Sequence, residues 1–173
     1  MANSTKIEVQ GLRELQVALK ALPQKMTQRV LNAALMKGAR DIANEAKKRA
    51  PVLNPMDSTA LKGRRRAGTL RRNIRARVIR AYEHTASVMV GVRQLSSKAI
   101  LAFKKATGKN GAANPDDPFY WRFLEFGTSK MRARPFLRPA FETKKFAAAN
   151  VIKDAIKARL EVEAKKLNTR VVR

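Results

Sequence analysis

Side chains able to carry acid–base, nucleophilic or metal chemistry are few in this chain, and their spacing is poor. His84 is the only histidine among 173 residues, and there is no cysteine. No histidine pair can hold a metal, no thiolate nucleophile exists, and any triad would depend on His84. His84 stands beside Glu83 where a hairpin turn is predicted, and it reads as an exposed turn residue. Asp116 and Asp117 could touch a cation. With Pro118 behind them they serve better as caps of a helix whose first residue needs no N–H. Thr107-Gly108-Lys109 fails as a phosphate loop. The first glycine of that pattern falls on Phe103, and Asn110 stands where Ser or Thr is needed. The expectation is a protein that is not an enzyme, with no catalytic, cofactor or metal residues.

Glu125 is the one acid with an informative setting. It lies among Trp121, Leu124 and Phe126, with Arg122 three residues before it. A carboxylate in apolar surroundings needs a partner to offset its desolvation. Two readings stand: an ion pair with Arg122 or a nearby arginine, and a contact to a basic residue of a neighbouring subunit.

The surrounding segment, residues 119–141, holds seven of the ten aromatic residues. Aromatic side chains bury large areas and dominate cores and interfaces. The segment is therefore the hub of the core, a docking surface, or both, and Trp121, Phe123, Phe126, Phe136 and Phe141 are expected as core anchors. Phe119, Phe123 and Phe126 follow helical spacing, and Gly127 is a plausible helix stop. A basic loop with Lys130, Arg132 and Arg134 follows, suited to a polar partner or a ring neighbour. Pro135 and Pro139 bracket Phe136 and Leu137, and Pro139 can open a last helix.

Tyr120, the run Phe123-Leu-Glu-Phe-Gly-Thr128, the short basic loop and the run Pro135-Phe-Leu-Arg-Pro-Ala-Phe141 resemble one family. These are the tail-completion, or head–tail joining, minor proteins of long-tailed bacteriophages. Gly11 to Leu15, a long Ala-rich helix and Gly68-Thr69-Leu70 before Ile74 fit more loosely. The resemblance implies a structural virion protein at the neck, made in the host cytoplasm. It would form a homo-oligomeric ring of six-fold copy number around the DNA channel, with the tail terminator and head connector as partners. It also implies some special role for Glu125, without saying which.

Composition sets the remaining bounds. The hydrophobic share of 45% argues for a folded chain, and the length suits a single domain, 1–173. The absence of cysteine fits a reducing compartment. No apolar run approaches a membrane span, so no membrane partner is expected, and the N-terminus lacks the apolar stretch of a signal peptide. The formal net charge is +25. Residues 62–80 contain no acid and nine bases, among them Arg64, Arg65, Arg66, Arg71 and Arg72. Such charge favours polyanions without implying sequence reading. The run can face packaged DNA or an acidic partner protein. A cytoplasmic, sequence-nonspecific nucleic-acid-binding protein is the rival reading, although no helix-turn-helix, zinc finger or aromatic RNA-binding strand motif is present.

These features must be positioned by an α+β fold: a long N-terminal helix and a C-terminal helix packed on a small antiparallel sheet, with long mobile basic loops. Ile7 and Val9 suit a short strand. Leu12, Leu15, Leu19 and Leu22 make an amphipathic helix stopped by Pro23. A helix of residues 24–50 carries Met26, Val30, Ala33 or Ala34, Ile42 and Ala46 inward and ends at Pro51. Residues 70–82 and 87–93 read as a hairpin in which Val88, Val90 and Val92 alternate. A short helix is expected within 95–103. Residues 52–68 and 104–115 read as mobile loops. The last helix spans about 139–167, with Phe141, Ala148, Ile152, Ile156 and Leu160 on one stripe.

Overall fold

The computed structural model describes residues 12–20, 23–52, 66–82 and 85–171. The elements are α1 (Leu12–Lys20), α2 (Gln24–Arg49), α3 (Thr69–Asn73), β1 (Ile74–Tyr82), β2 (Thr85–Val92), α4 (Ser97–Thr107), α5 (Trp121–Phe126) and α6 (Leu137–Val171), with a 3-10 turn at Gly111–Ala113. Helices at both ends and a two-stranded sheet, β1 beside β2, make the fold α+β. The expected strand at Ile7 and Val9 lies outside the described residues, as do most of the loop 52–68, Arg64, Arg65 and the turn residues Glu83 and His84.

The chain gathers into two compact units. One comprises the described residues of Met1–Ile42, Ala76–Met89 and Thr143–Arg173. Its core is Leu15, Val30, Ala34, Ala155 and Ile156, with Leu19, Leu31, Ile152 and Leu160 against them. α1 carries Leu15 inward and leaves Val17 exposed, as a 3.6-residue period requires. Thr27 locks α1 to the start of α2. Its hydroxyl donates to the Leu19 carbonyl at 3.1 Å, and the residue is fully buried. α2 and α6 approach closely at Gly38, where a Cβ would stand 2.6 Å from Ile152 Cγ1 and 2.8 Å from the Ala148 carbonyl. Small residues therefore occupy the buried face of α2 in this unit, Ala34 and Ala39, while Met26 and Ile42 are only half-buried.

The other unit comprises the described residues of Ala43–Arg75 and Val90–Glu142. Its core is Ala43, Ala46, Ala50, Leu70, Ile74, Phe136 and Ala140, with Val90, Val92, Tyr120, Trp121, Leu124 and Leu137 packed around them. The expected alternation of β2 holds: Ala86, Val88 and Val90 are half-buried, while Thr85, Ser87 and Met89 are exposed. Residues 70–73 differ from the expected strand and form α3 instead. Gly68 in the left-handed region (φ 73°) turns the chain, and the buried Thr69 hydroxyl donates to the Arg66 carbonyl at 2.7 Å and the Pro115 carbonyl at 3.2 Å. Asn73 Nδ2 then donates to the Thr69 carbonyl at 2.9 Å. β1 begins only at Ile74, which is fully buried.

The expected loop at 104 begins later. α4 runs to Thr107, because Ser96 caps its first turn by accepting from the Ala99 N–H, and Gly108 (φ 68°) closes its last by donating to the Lys104 carbonyl at 2.8 Å. Asn114 follows, buried, with its side-chain oxygen accepting from the Asp116 N–H at 2.9 Å. The expected helix opening at Pro118, behind Asp116 and Asp117, is displaced along the chain. Residues 118–120 form a turn, α5 begins at Trp121, and no side chain caps it.

Candidate docking surface

α5 has six residues, and only one side of it can face the core. Two stripes satisfy helical spacing: Phe119, Phe123 and Phe126, or Trp121, Leu124 and Glu125. The structure places the second stripe inward. Trp121 and Leu124 pack on the Phe136 cluster, and Glu125 is 7% exposed. Phe123 and Phe126 therefore point outward, 47% and 67% exposed, and are not core anchors. Phe141 is also corrected. Its neighbour Ala140 takes the inward position on α6, which leaves the Phe141 ring 41% exposed. Phe136 is fully buried at the centre of its cluster.

Glu125 does something neither sequence reading described. Oε2 accepts from the N–H of Phe136 at 2.8 Å and of Leu137 at 3.0 Å, and Oε1 accepts from the N–H of Arg138 at 3.0 Å. These N–H groups open α6. A helix leaves its first four N–H groups without intrahelical partners. Here three are taken by one carboxylate, and the fourth residue is Pro139, which has no N–H. The negative charge also sits at the positive end of the helix dipole. Its partners are backbone N–H groups of its own chain, which take the place of the expected ion pair with Arg122. Arg122 instead holds its guanidinium 5.5 Å from the Trp121 ring centroid.

The basic stretch after α5 is built, not loose. Gly127 adopts φ 76°, ψ −178°, a conformation open essentially to glycine alone, and its N–H donates to the Phe123 carbonyl at 2.9 Å. Thr128 and Met131 then exchange backbone hydrogen bonds of 2.9 and 3.2 Å around a tight turn. The chain returns beside α5: the Arg134 N–H donates to the Leu124 carbonyl at 2.7 Å, and a Cβ on Gly127 would stand 2.9 Å from Ala133 N. Lys130, Arg132 and Arg134 are all exposed on this return. The outcome is two exposed phenyl rings on α5 and three exposed cations on a return whose backbone is hydrogen-bonded to that helix.

The other basic candidates fare differently. Arg71 is exposed. Arg72 is spent on its own loop, donating to the Ala67 carbonyl at 3.0 Å and the Thr69 hydroxyl at 3.3 Å. Arg66 pairs with Asp116 at 3.4 Å on the surface. Among the described residues no cluster of His, Asp or Glu could hold a metal ion, and no helix is long and apolar enough to cross a membrane.

A family profile described as "Bacteriophage HK97-gp10, putative tail-component" matches residues 13–127. The chain belongs to this family of phage tail components. The matched span includes α5 and its Gly127 stop and ends before the Pro-bracketed segment 135–141. No curated protein and no solved structure matches the chain.

Proposed function

We propose that this phage tail component completes the tail and joins it to the head connector, as a homo-oligomeric ring around the DNA channel and without a catalytic step. Family membership supports a structural role in the virion. The observation that carries the joining role is the outward pair Phe123 and Phe126 beside Lys130, Arg132 and Arg134. Exposed aromatics on a rigid frame with arginines nearby have the composition of an interface. Its partners in this reading are its own copies, the tail terminator and the connector. Deleting the gene and imaging the lysate by electron microscopy tests this. Filled heads and full-length tails that fail to join are expected. Infectious, normal particles would remove the role, and absence of tails would move the protein to an earlier assembly step.

The exposed Arg71, Arg75 and Arg77 favour a second reading, contact with nucleic acid. Such binding would be electrostatic, with a log–log salt slope of about −0.9 per neutralised phosphate. Tight, sequence-selective binding at high salt would promote this reading over the first.

A further inference from the structure

The outward face of α5 has chemistry that narrows its partner. Phe123 and Phe126 lie three residues apart on one face of the helix, while the return 131–134 is hydrogen-bonded alongside it. Within residues 119–141 there are five bases, Arg122, Lys130, Arg132, Arg134 and Arg138, and one acid, Glu125. That acid is buried and committed to three backbone N–H groups, so the surface of the segment carries cations with no exposed acid among them. Two phenyl rings, 47% and 67% exposed, on a segment whose exposed charges are all cationic are poorly matched to water. They are equally ill matched to the same face of a second copy, because an isologous contact would set cation against cation, and a ring neighbour that presents another face still belongs to a chain of net charge +25. Duplex DNA would satisfy the cations but offers no apolar socket for the rings.

We propose that this face docks a different protein, one whose surface is acidic and offers apolar sockets for Phe123 and Phe126. The inference rests on the joining role and names the partner chemistry for it. The two rings act as anchors that lose water on docking, and Lys130, Arg132 and Arg134 steer the encounter and fix its register. The frame needs little ordering on binding. Gly127, the Thr128–Met131 pairing and the Glu125 clamp already hold it, which lowers the entropic cost of docking.

The test uses tails and filled heads purified from particles lacking the gene, mixed with the purified chain and sedimented. Four versions are compared: wild type, Phe126→Ser, Phe123→Ser/Phe126→Ser, and Arg132→Glu/Arg134→Glu. Thermal melts accompany them to show that each remains folded. Wild type should cosediment with one particle half and weaken as salt rises. The double phenylalanine variant should bind about tenfold or more weakly at every salt concentration, and Phe126→Ser by an intermediate factor. The charge-reversal variant should bind as weakly at low salt and approach wild type at high salt. Folded variants that bind as tightly as wild type would overturn the docking face and leave the joining role standing. Wild type that binds neither half would overturn both. Variants that lose self-association, or lose a short duplex DNA, while still binding particles would assign the face to a second copy or to nucleic acid and overturn the proposal.

Discussion

Replacing Glu125 with alanine removes the carboxylate that serves the opening turn of α6. Three N–H groups, of Phe136, Leu137 and Arg138, lose bonds of 2.8, 3.0 and 3.0 Å to one carboxylate. A hydrogen bond to a charged group contributes about 1.5–3 kcal/mol net, and an unsatisfied buried donor costs about 1–3 kcal/mol. The three are not additive, because they share one acceptor, and Leu137 and Arg138 are near enough to the surface to recruit water. Phe136 is not: it is fully buried, so its N–H stays unpaired. The loss of favourable charge at the helix dipole adds up to about 1 kcal/mol. A total of about 3–5 kcal/mol follows, a large share of the 5–15 kcal/mol typical of a domain. For a chain of this length that is a fall in Tm of about 10 °C. Glu125→Gln keeps one carbonyl oxygen, which can serve two N–H groups, but turns an NH2 toward the third. It should cost about 2 kcal/mol. Urea unfolding at unchanged m-value reads both quantities, and hydrogen exchange at residues 136–138 localises them. Glu161→Ala, exposed further along α6, is the control and should stay within about 0.5 kcal/mol of wild type. If Glu125→Ala melts with the control and the three amides keep their protection, the clamp does not hold the fold as described.

Gly127→Ala should destabilise by about 1–3 kcal/mol, because its φ of 76° and ψ of −178° suit glycine and a Cβ would press on Ala133 N at 2.9 Å; an unchanged urea midpoint would refute that strain. Gly38→Ala should cost about 1–3 kcal/mol through overpacking against Ile152 and the Ala148 carbonyl, with a thermal melt as readout. Phe136→Ala should cost about 3–5 kcal/mol, whereas Phe126→Ala should stay within about 0.5 kcal/mol, so parallel melts of the two separate the core ring from the surface ring.

Local signals in the sequence determined much of the scaffold. Pro23 and Pro51 bound α2 because proline cannot continue a helix, and the observed Gln24–Arg49 follows from them. Gly127 ends α5, and Val88 and Val90 alternate as a half-buried strand must. The resemblance to the phage family rests on a contiguous motif, residues 120–141, of which the family profile covers the part up to residue 127. Tertiary structure decided what short-range rules leave degenerate. A six-residue helix with aromatics on two sides has two faces of acceptable period, and only the Phe136 cluster selects Trp121 and Leu124 over Phe123 and Phe126. Residues 70–73, Leu-Arg-Arg-Asn, read as part of the strand that follows them, yet Gly68 and the buried Thr69 hydroxyl, bonded across 46 residues to Pro115, start a helix there. Glu125 is the sharpest case. Its partners are backbone N–H groups 11 to 13 residues away, and a backbone N–H has no letter in the sequence. A search among side chains finds Arg122, whereas the folded chain brings the open end of a helix, whose N–H groups satisfy both oxygens at once.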